Sequence, residues 1–138
     1  MGIFIVVVLL ATMAVTSMTK VSPEIRKLMA EFTNACLSET KATNEMVERA
    51  MNNEFSNDIR LKKFLVCTGK KSGYIDECNN FDKEALKNAL IMMYGFEDKM
   101  DKIVQECLVD QGNALDTAFE LVKCYHAKIP VAELLKEQ

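Results

Sequence analysis

The chain has 138 residues, of which 49% are hydrophobic and 27% are charged, and its formal net charge is −3. A chain of this size and composition folds as one globular domain with a modest core. No run of Lys or Arg exceeds two residues. Because nucleic acids and anionic membrane surfaces are bound through clustered positive charge, the sequence argues against both as partners.

The first 17 residues have the pattern of a secretory signal peptide. The thirteen residues from Ile3 to Val15 carry no charge, and the run is too short for the ~20 apolar residues that span a bilayer. Small residues follow, and we expect cleavage after Ser17, with residues 18–138 forming a single helical domain. A non-cleaved anchor is the alternative. The cleaved chain would be secreted into extracellular fluid without stable membrane insertion, where cysteines pair.

Two helices are predicted in the first third of the domain. Ser22–Glu24 starts the first helix, because serine caps, proline suits the first helical position and glutamate complements the helix dipole. Residues three or four positions apart form its expected buried stripe: Ile25, Leu28, Met29, Phe32, Ala35 and Cys36. A second, shorter helix is predicted from about Asn44 to Asn52.

The third predicted helix runs from Asp58 to Cys67 and is ended by Gly69 and Gly73. Lys63 shares a helix face with Cys67, because residues four apart lie side by side. Lysine is seldom buried, so we expect its stem to pack along apolar surface while its amine reaches water.

Three further helices complete the domain. They are predicted from Phe81 to Gly95, from Glu97 to Gln111, and from the cap Asn113 to Tyr125. Their apolar stripes are Leu86, Ala89, Leu90 and Met93, then Met100, Ile103, Val104 and Cys107, then Leu115, Ala118, Phe119 and Val122. A short apolar tail, 131–135, follows Pro130. The sequence therefore predicts an all-α fold of about six short helices.

The residue inventory argues against catalysis. His126 is the only histidine, which excludes multi-histidine metal sites within the chain and leaves a Ser-His-Asp or Cys-His set only this one residue to use. The acidic stretch 76–82 lacks the central glycine and terminal glutamate of a calcium loop. We predict that the protein is not an enzyme and that it binds no cofactor and no metal. His126 is expected to be solvated near a helix end, where its protonated form is favoured, with a mild pH sensor as the alternative.

Five cysteines are separated by 30, 10, 28 and 16 residues. Two bridges and one spare thiol allow fifteen pairings. The simplest choice joins the first helix to the third through Cys36–Cys67 and the fifth to the sixth through Cys107–Cys124. Such loops would each contribute roughly 3–4 kcal/mol in the chain-entropy model. Cys78 is then left over, either as a half-buried free thiol or as an intermolecular link.

This spacing resembles that of the insect odorant-binding proteins of the pheromone/general-odorant-binding family. The first, third, fourth and sixth cysteines of that family's pattern correspond to Cys36, Cys67, Cys107 and Cys124. The second place falls on Lys63, with three residues between it and Cys67, and the fifth on Leu115, with eight residues between it and Cys124. Those two cysteines pair in six-cysteine members, so the chain resembles the minus-C subgroup, with Lys63 facing Leu115 or its neighbour. Further similar segments are Phe55 ahead of Asp58, Gly73–Asp76 and Val122–Tyr125.

The resemblance implies a compact helical array around an apolar cavity, stapled by two disulfides. It implies a secreted carrier that binds and solubilises odorants, pheromones or similar lipophilic molecules. A membrane receptor is a further candidate partner, and the carrier would be a monomer or weak homodimer. The residues that we expect to line the cavity are Met29, Phe32, Phe55, Phe64, Leu90, Met93, Ile103, Phe119, Val122 and Leu134.

Two alternative functions are compatible with the same residues. One is a secreted helical signalling or interaction protein that acts through its surface. It would have a packed interior, whereas a carrier should enclose a void of roughly several hundred Å³. The other is a carrier of fatty acids or hormone-like lipids, which differs only in tissue. If the tail closes the cavity, truncation after Ile129 should speed ligand release.

Overall fold

A computed structural model describes residues 22–95 and 97–129. The expected all-α fold is confirmed. The six helices in chain order are α1 (Pro23–Thr40), α2 (Asn44–Met51), α3 (Ile59–Lys71), α4 (Lys83–Tyr94), α5 (Glu97–Cys107) and α6 (Ala114–Lys128). The predicted signal peptide and the apolar tail lie outside the described residues. Within the described ranges, no helix is long and apolar enough to cross a membrane.

Local capping explains where five of these helices begin. In each, a side-chain oxygen of the preceding residue accepts a hydrogen bond from a backbone N–H of the first turn, at distances from 2.8 to 3.2 Å. Each such cap contributes about 1 kcal/mol, because it satisfies a donor that the helix itself leaves free. The capping residues are Ser22, Thr43, Asp58, Asp82 and Asn113.

Three helix ends differ from the sequence expectation, and one of them is that of α6, which runs to Lys128 rather than Tyr125. Gly69 lies inside α3 and is buried, because its missing Cβ admits a neighbouring side chain: a Cβ there would clash with Ile75 Cδ1. α5 ends at Cys107 rather than Gln111. Beyond it, the N–H of Gln111 donates to the Thr117 hydroxyl at 3.0 Å. Such side-chain acceptors compete with continued helical hydrogen bonding.

The helices form one packed body around α3. α3 packs against α1 and α6, while α5 packs against α4 and α6. Two disulfides join neighbouring helices, Cys36–Cys67 between α1 and α3 and Cys107–Cys124 between α5 and α6. Both predicted pairings are confirmed. The largest side chains sealed in the core are Leu61, Leu86, Leu90, Met100, Leu121 and Ile129. Cys78 is a free, exposed thiol, so the half-buried alternative is wrong.

The lysine that packs between α3 and α6 is Lys62, not Lys63. The expectation that the Lys63 stem is packed against the interior is wrong, because Lys63 is exposed. Cys67 is itself only half-buried, so the helix face that it shares with Lys63 lies at the margin of the core. The Lys62 side chain is 18% exposed, and its Nζ lies 2.8 Å from Asp116 Oδ1. The same ammonium lies 5.2 Å from the ring centre of Phe119.

Candidate functional site

A cavity of ≈ 140 Å³ lies among the helices and is partly open to solvent. Every described helix except α5 contributes to its wall. Its lining is mainly apolar, with three tyrosines, two threonines, one serine and one histidine. The residues are Met29, Phe32, Thr33, Val47, Ala50, Met51, Leu61, Phe64, Leu65, Thr68, Ser72, Tyr74, Met93, Tyr94, Val122, Tyr125 and His126.

Helical spacing places the lining side chains of each helix on one face of that helix. On α6, Val122, Tyr125 and His126 stand three and four positions apart, so they share a face. On α1, Met29 and Phe32 follow the same rule. Tyr74 belongs to the loop after α3, where its N–H donates to the Gly69 carbonyl at 3.1 Å and its carbonyl accepts from Asp82 N–H at 2.9 Å. Backbone bonds to both adjoining helices therefore position this ring.

A second opening of ≈ 330 Å³ adjoins the cavity between α1 and α4. The two share four lining residues, which are Met29, Phe32, Ser72 and Met93. Leu28 and Met92 line this cleft with 43% and 59% of their surface exposed. Leu28 was expected in the buried stripe of α1, but the first turns of that helix face the cleft instead. The inner cavity thus leads into an apolar cleft at the surface.

The predicted ligand-contacting residues fall into three groups. Five line the inner cavity: Met29, Phe32, Phe64, Met93 and Val122. Three are buried in the core and belong to neither lining set: Leu90, Ile103 and Phe119. Phe55 is half-buried beside the cavity, with its ring centre 6.0 Å from that of Phe119 and 5.9 Å from that of His126. Leu134 lies outside the described residues.

Sequence reasoning missed the polar part of the wall. The ring centres of Tyr94 and Tyr125 are 6.4 Å apart, and those of Tyr125 and His126 are 4.9 Å apart. Burial raises the pKa of Tyr94 to about 12 and that of Tyr125 well above its usual value. Burial also raises the pKa of Tyr74, with a smaller effect of nearby Tyr94. The spacing from Val122 to His126 was a signal that these α6 residues face inward.

His126 differs most from expectation. It is half-buried rather than solvated, and burial lowers its pKa from 6.5 to about 4. Its position in the last turn of α6 favours the protonated form, but desolvation outweighs that effect. Its Nδ1 atom is buried and has no hydrogen-bond partner among the described residues. Among the described residues, no Asp, Glu, Lys or Arg belongs to the cavity lining. The cavity wall is therefore uncharged at neutral pH.

This arrangement suits reversible binding of an apolar molecule. Ligand cavities are mostly apolar surfaces with a few polar groups that orient the ligand. Methionine side chains, here Met29, Met51 and Met93, adapt to ligands of different shape. Within the described ranges, no three His, Cys, Asp or Glu side chains come close enough to hold a metal ion.

Comparison with known proteins gives a consistent result. The model of the PBP/GOBP family matches residues 18–128. The B1 protein of Tenebrio molitor is 26% identical over 118 residues, which cover 86% of each chain. General odorant-binding protein 69a of Drosophila melanogaster is 29% identical, covering 78% of this chain and 73% of its own. The solved structure of the THP12 carrier protein from the yellow meal worm aligns with a TM-score of 0.57 at 26% identity. That alignment covers 68% of this chain and 87% of that protein.

Proposed function

The chain belongs to the PBP/GOBP family of odorant-binding carriers, and we propose that it is a secreted carrier with its ligand site in the inner cavity. The observation that carries the proposal is the uncharged, mainly apolar cavity that continues into an apolar cleft. A small lipophilic molecule would enter through the cleft between α1 and α4. Burial of its apolar surface would supply about 25 cal/mol per Å².

The size of the cavity limits what fits inside it. At ≈ 140 Å³, the inner cavity resembles the engineered cavity of about 150 Å³ that binds benzene in an unrelated protein. A single ring or a short chain would fill it. A longer ligand would extend into the adjoining cleft of ≈ 330 Å³. The inner cavity alone is smaller than the void expected for a carrier, and the cleft provides the remaining space.

Secretion and closure of the site belong to the same proposal. The two disulfides suit an oxidising compartment, and residues 1–17 have the pattern of a signal peptide. The apolar tail with Leu134 would cover the cavity. Ile129 is buried, with 1% of its surface exposed, so truncation after it leaves the core intact. Under this proposal the truncated protein releases ligand faster; unchanged release rates would contradict a covering tail.

A titration with the fluorescent probe N-phenyl-1-naphthylamine tests the carrier proposal. The oxidised protein should bind the probe saturably with one site per chain, and lipophilic competitors should displace it. Reduced and alkylated protein is the control, because loss of both disulfides should abolish the site. Absence of saturable binding by oxidised, folded protein would overturn the proposal. It would favour the alternative of a signalling protein that acts through its surface.

A further inference from the structure

The polar groups of the inner cavity come largely from three tyrosines and one histidine. Tyr125 stands between Tyr94 and His126, with ring-centre distances of 6.4 and 4.9 Å. Tyr74 belongs to the same wall, and electrostatic repulsion from the other two phenols adds to the effect of burial on the pKa of Tyr125. All three tyrosine side chains therefore line the same cavity. Beside them, the buried Nδ1 of His126 lacks a partner among the described residues.

We infer that the ligand is a neutral amphiphile, an apolar molecule with one hydroxyl or carbonyl oxygen, whose oxygen lies against Tyr74, Tyr94, Tyr125 and His126. This inference rests on the proposed function and adds the ligand's chemistry and orientation. Phenol hydroxyls can donate hydrogen bonds to a hydroxyl or carbonyl oxygen, and a ligand hydroxyl can also pair with an imidazole nitrogen. Hydrogen bonds to these groups would favour a ligand that carries such an oxygen over a hydrocarbon.

A carboxylate is the wrong head group for this cavity. An anion buried without a cation loses its hydration and gains no compensating charge. The part of the inner wall that the structure describes contains no Lys or Arg, and His126 is neutral at pH 7 because burial lowers its pKa to about 4. Lys71 lines the outer cleft, but its Nζ is paired with Glu39 at 3.3 Å. The charge pattern therefore selects against fatty acid anions and for uncharged alcohols, aldehydes, ketones or esters.

The inner cavity and the cleft together determine the orientation of the bound ligand. The tyrosines and histidine belong to the inner lining, whereas the cleft is lined mainly by aliphatic and methionine side chains. The polar head then lies inside and the hydrocarbon tail extends past Met29 and Met93 toward Leu28 and Met92. This order keeps the oxygen away from water and leaves part of the tail at the protein surface.

Competition against N-phenyl-1-naphthylamine at pH 7.5 tests the inference with three nine-carbon compounds: nonan-1-ol, nonane and nonanoate. We expect nonan-1-ol to bind at least tenfold more tightly than nonanoate. Tyr125→Phe removes only the hydroxyl and should weaken nonan-1-ol binding threefold to tenfold, with nonane unchanged within twofold. Tyr94→Phe and Tyr74→Phe serve as second and third variants, and His126→Leu should act in the same direction. Ser38→Ala, an exposed hydroxyl on α1, is the control.

The outcomes separate the two proposals. If the wild-type protein fails to bind the probe, the carrier proposal falls. If the probe binds but nonanoate competes as well as nonan-1-ol, the inference about the head group is overturned while the carrier proposal stands. The same holds if none of the three tyrosine variants changes nonan-1-ol binding, or if each weakens nonan-1-ol and nonane equally. A loss confined to the alcohol in at least one tyrosine variant, with Ser38→Ala unchanged, supports the inference.

Discussion

The imidazole of His126 lies 4.9 Å from the ring centre of Tyr125 and 5.9 Å from that of Phe55. The single histidine is thus packed among aromatic rings and not solvated at the end of α6. In these surroundings a proton on the ring would bring a buried charge, and the described residues of the cavity wall include no carboxylate to balance it. The folded state therefore prefers neutral His126, which links the stability of the protein to pH.

The first prediction is that His126 destabilises the fold in acid. Its folded pKa of about 4 lies below the ordinary value of 6.5, so the unfolded chain binds the proton more tightly. The contribution of neutral His126 to the free energy of unfolding is complete above pH 6.5 and is lost as the pH falls toward 4. The full loss is roughly 3 kcal/mol at most. The free energy of unfolding of His126→Leu, from urea titrations between pH 7.5 and 4.5, should fall less than that of the wild type.

Tyr125→Phe is the control for this prediction, since it alters the same wall and keeps the histidine. Carboxyl groups with lowered pKa values, such as Asp58 and Asp116, titrate in every variant, so the difference between variants isolates His126. Parallel pH profiles for the wild type and His126→Leu would show that the histidine is not buried in the folded protein.

Gly69 provides a second prediction, because its missing side chain lets the loop after α3 approach the helix. A Cβ at this position would clash with Ile75 Cδ1 and lie 3.0 Å from Tyr74 Cε2. Overpacking of this kind costs about 1–3 kcal/mol, against about 1 kcal/mol of helix propensity that alanine gains. Gly69→Ala should therefore lower the free energy of unfolding and weaken probe binding, because Tyr74 is displaced. Ser38→Ala on exposed α1 surface should be neutral or slightly stabilising. A Gly69→Ala protein as stable as the wild type would contradict this close approach.

The contrast between Lys62 and Lys63 provides a third prediction. The hydrogen bond from Lys62 is the main cause that lowers the pKa of the Asp116 carboxyl, with Asn113 contributing a second bond. A carboxyl group whose pKa is lowered in the folded protein stabilises the fold at pH values above its ordinary pKa. This contribution is lost as the pH falls through the folded pKa. Lys62→Met keeps a long apolar side chain and removes the charge, so the pKa of Asp116 should rise in an NMR titration. Lys63→Met, the exposed neighbour, should leave it unchanged. Equal shifts in both variants would contradict the observed pairing.

How much the sequence can predict depends on whether a signal is local. The caps at Ser22 and Asn113 were readable, because a cap depends on residues within one turn. The choice between Lys62 and Lys63 was not, because Cys67 lies at the edge of the core and adjacent helix positions differ little in spacing. Periodicity then cannot say which of two neighbouring lysines meets another helix.

The cavity itself could not be predicted from the sequence, for a related reason. A stripe of Met29 and Phe32 has the same spacing whether it packs against a side chain or faces a void. Whether the void exists depends on how five helices meet, which is a property of long-range packing. His126 shows the same limit: its spacing from Val122 is a signal for an inward face, but we expected a solvated side chain, because its burial depends on rings from distant segments, such as Phe55.

The last prediction uses two buried alanines to test whether the cavity is the binding site. Ala50 lines the inner cavity with 5% of its surface exposed, whereas Ala118 is 1% exposed and lies in the core outside that lining. Ala50→Leu adds three carbon atoms to an existing void. It should therefore weaken N-phenyl-1-naphthylamine binding at least tenfold while the free energy of unfolding stays equal or rises by about 1 kcal/mol. Ala118→Leu adds the same atoms where no void exists, so it should lower the free energy of unfolding by about 1–3 kcal/mol and leave the probe affinity of the folded protein within twofold.

Probe binding by Ala50→Leu at wild-type affinity would place the ligand elsewhere on the molecule. Loss of stability in Ala50→Leu equal to that in Ala118→Leu would mean that the space beside α2 is already filled.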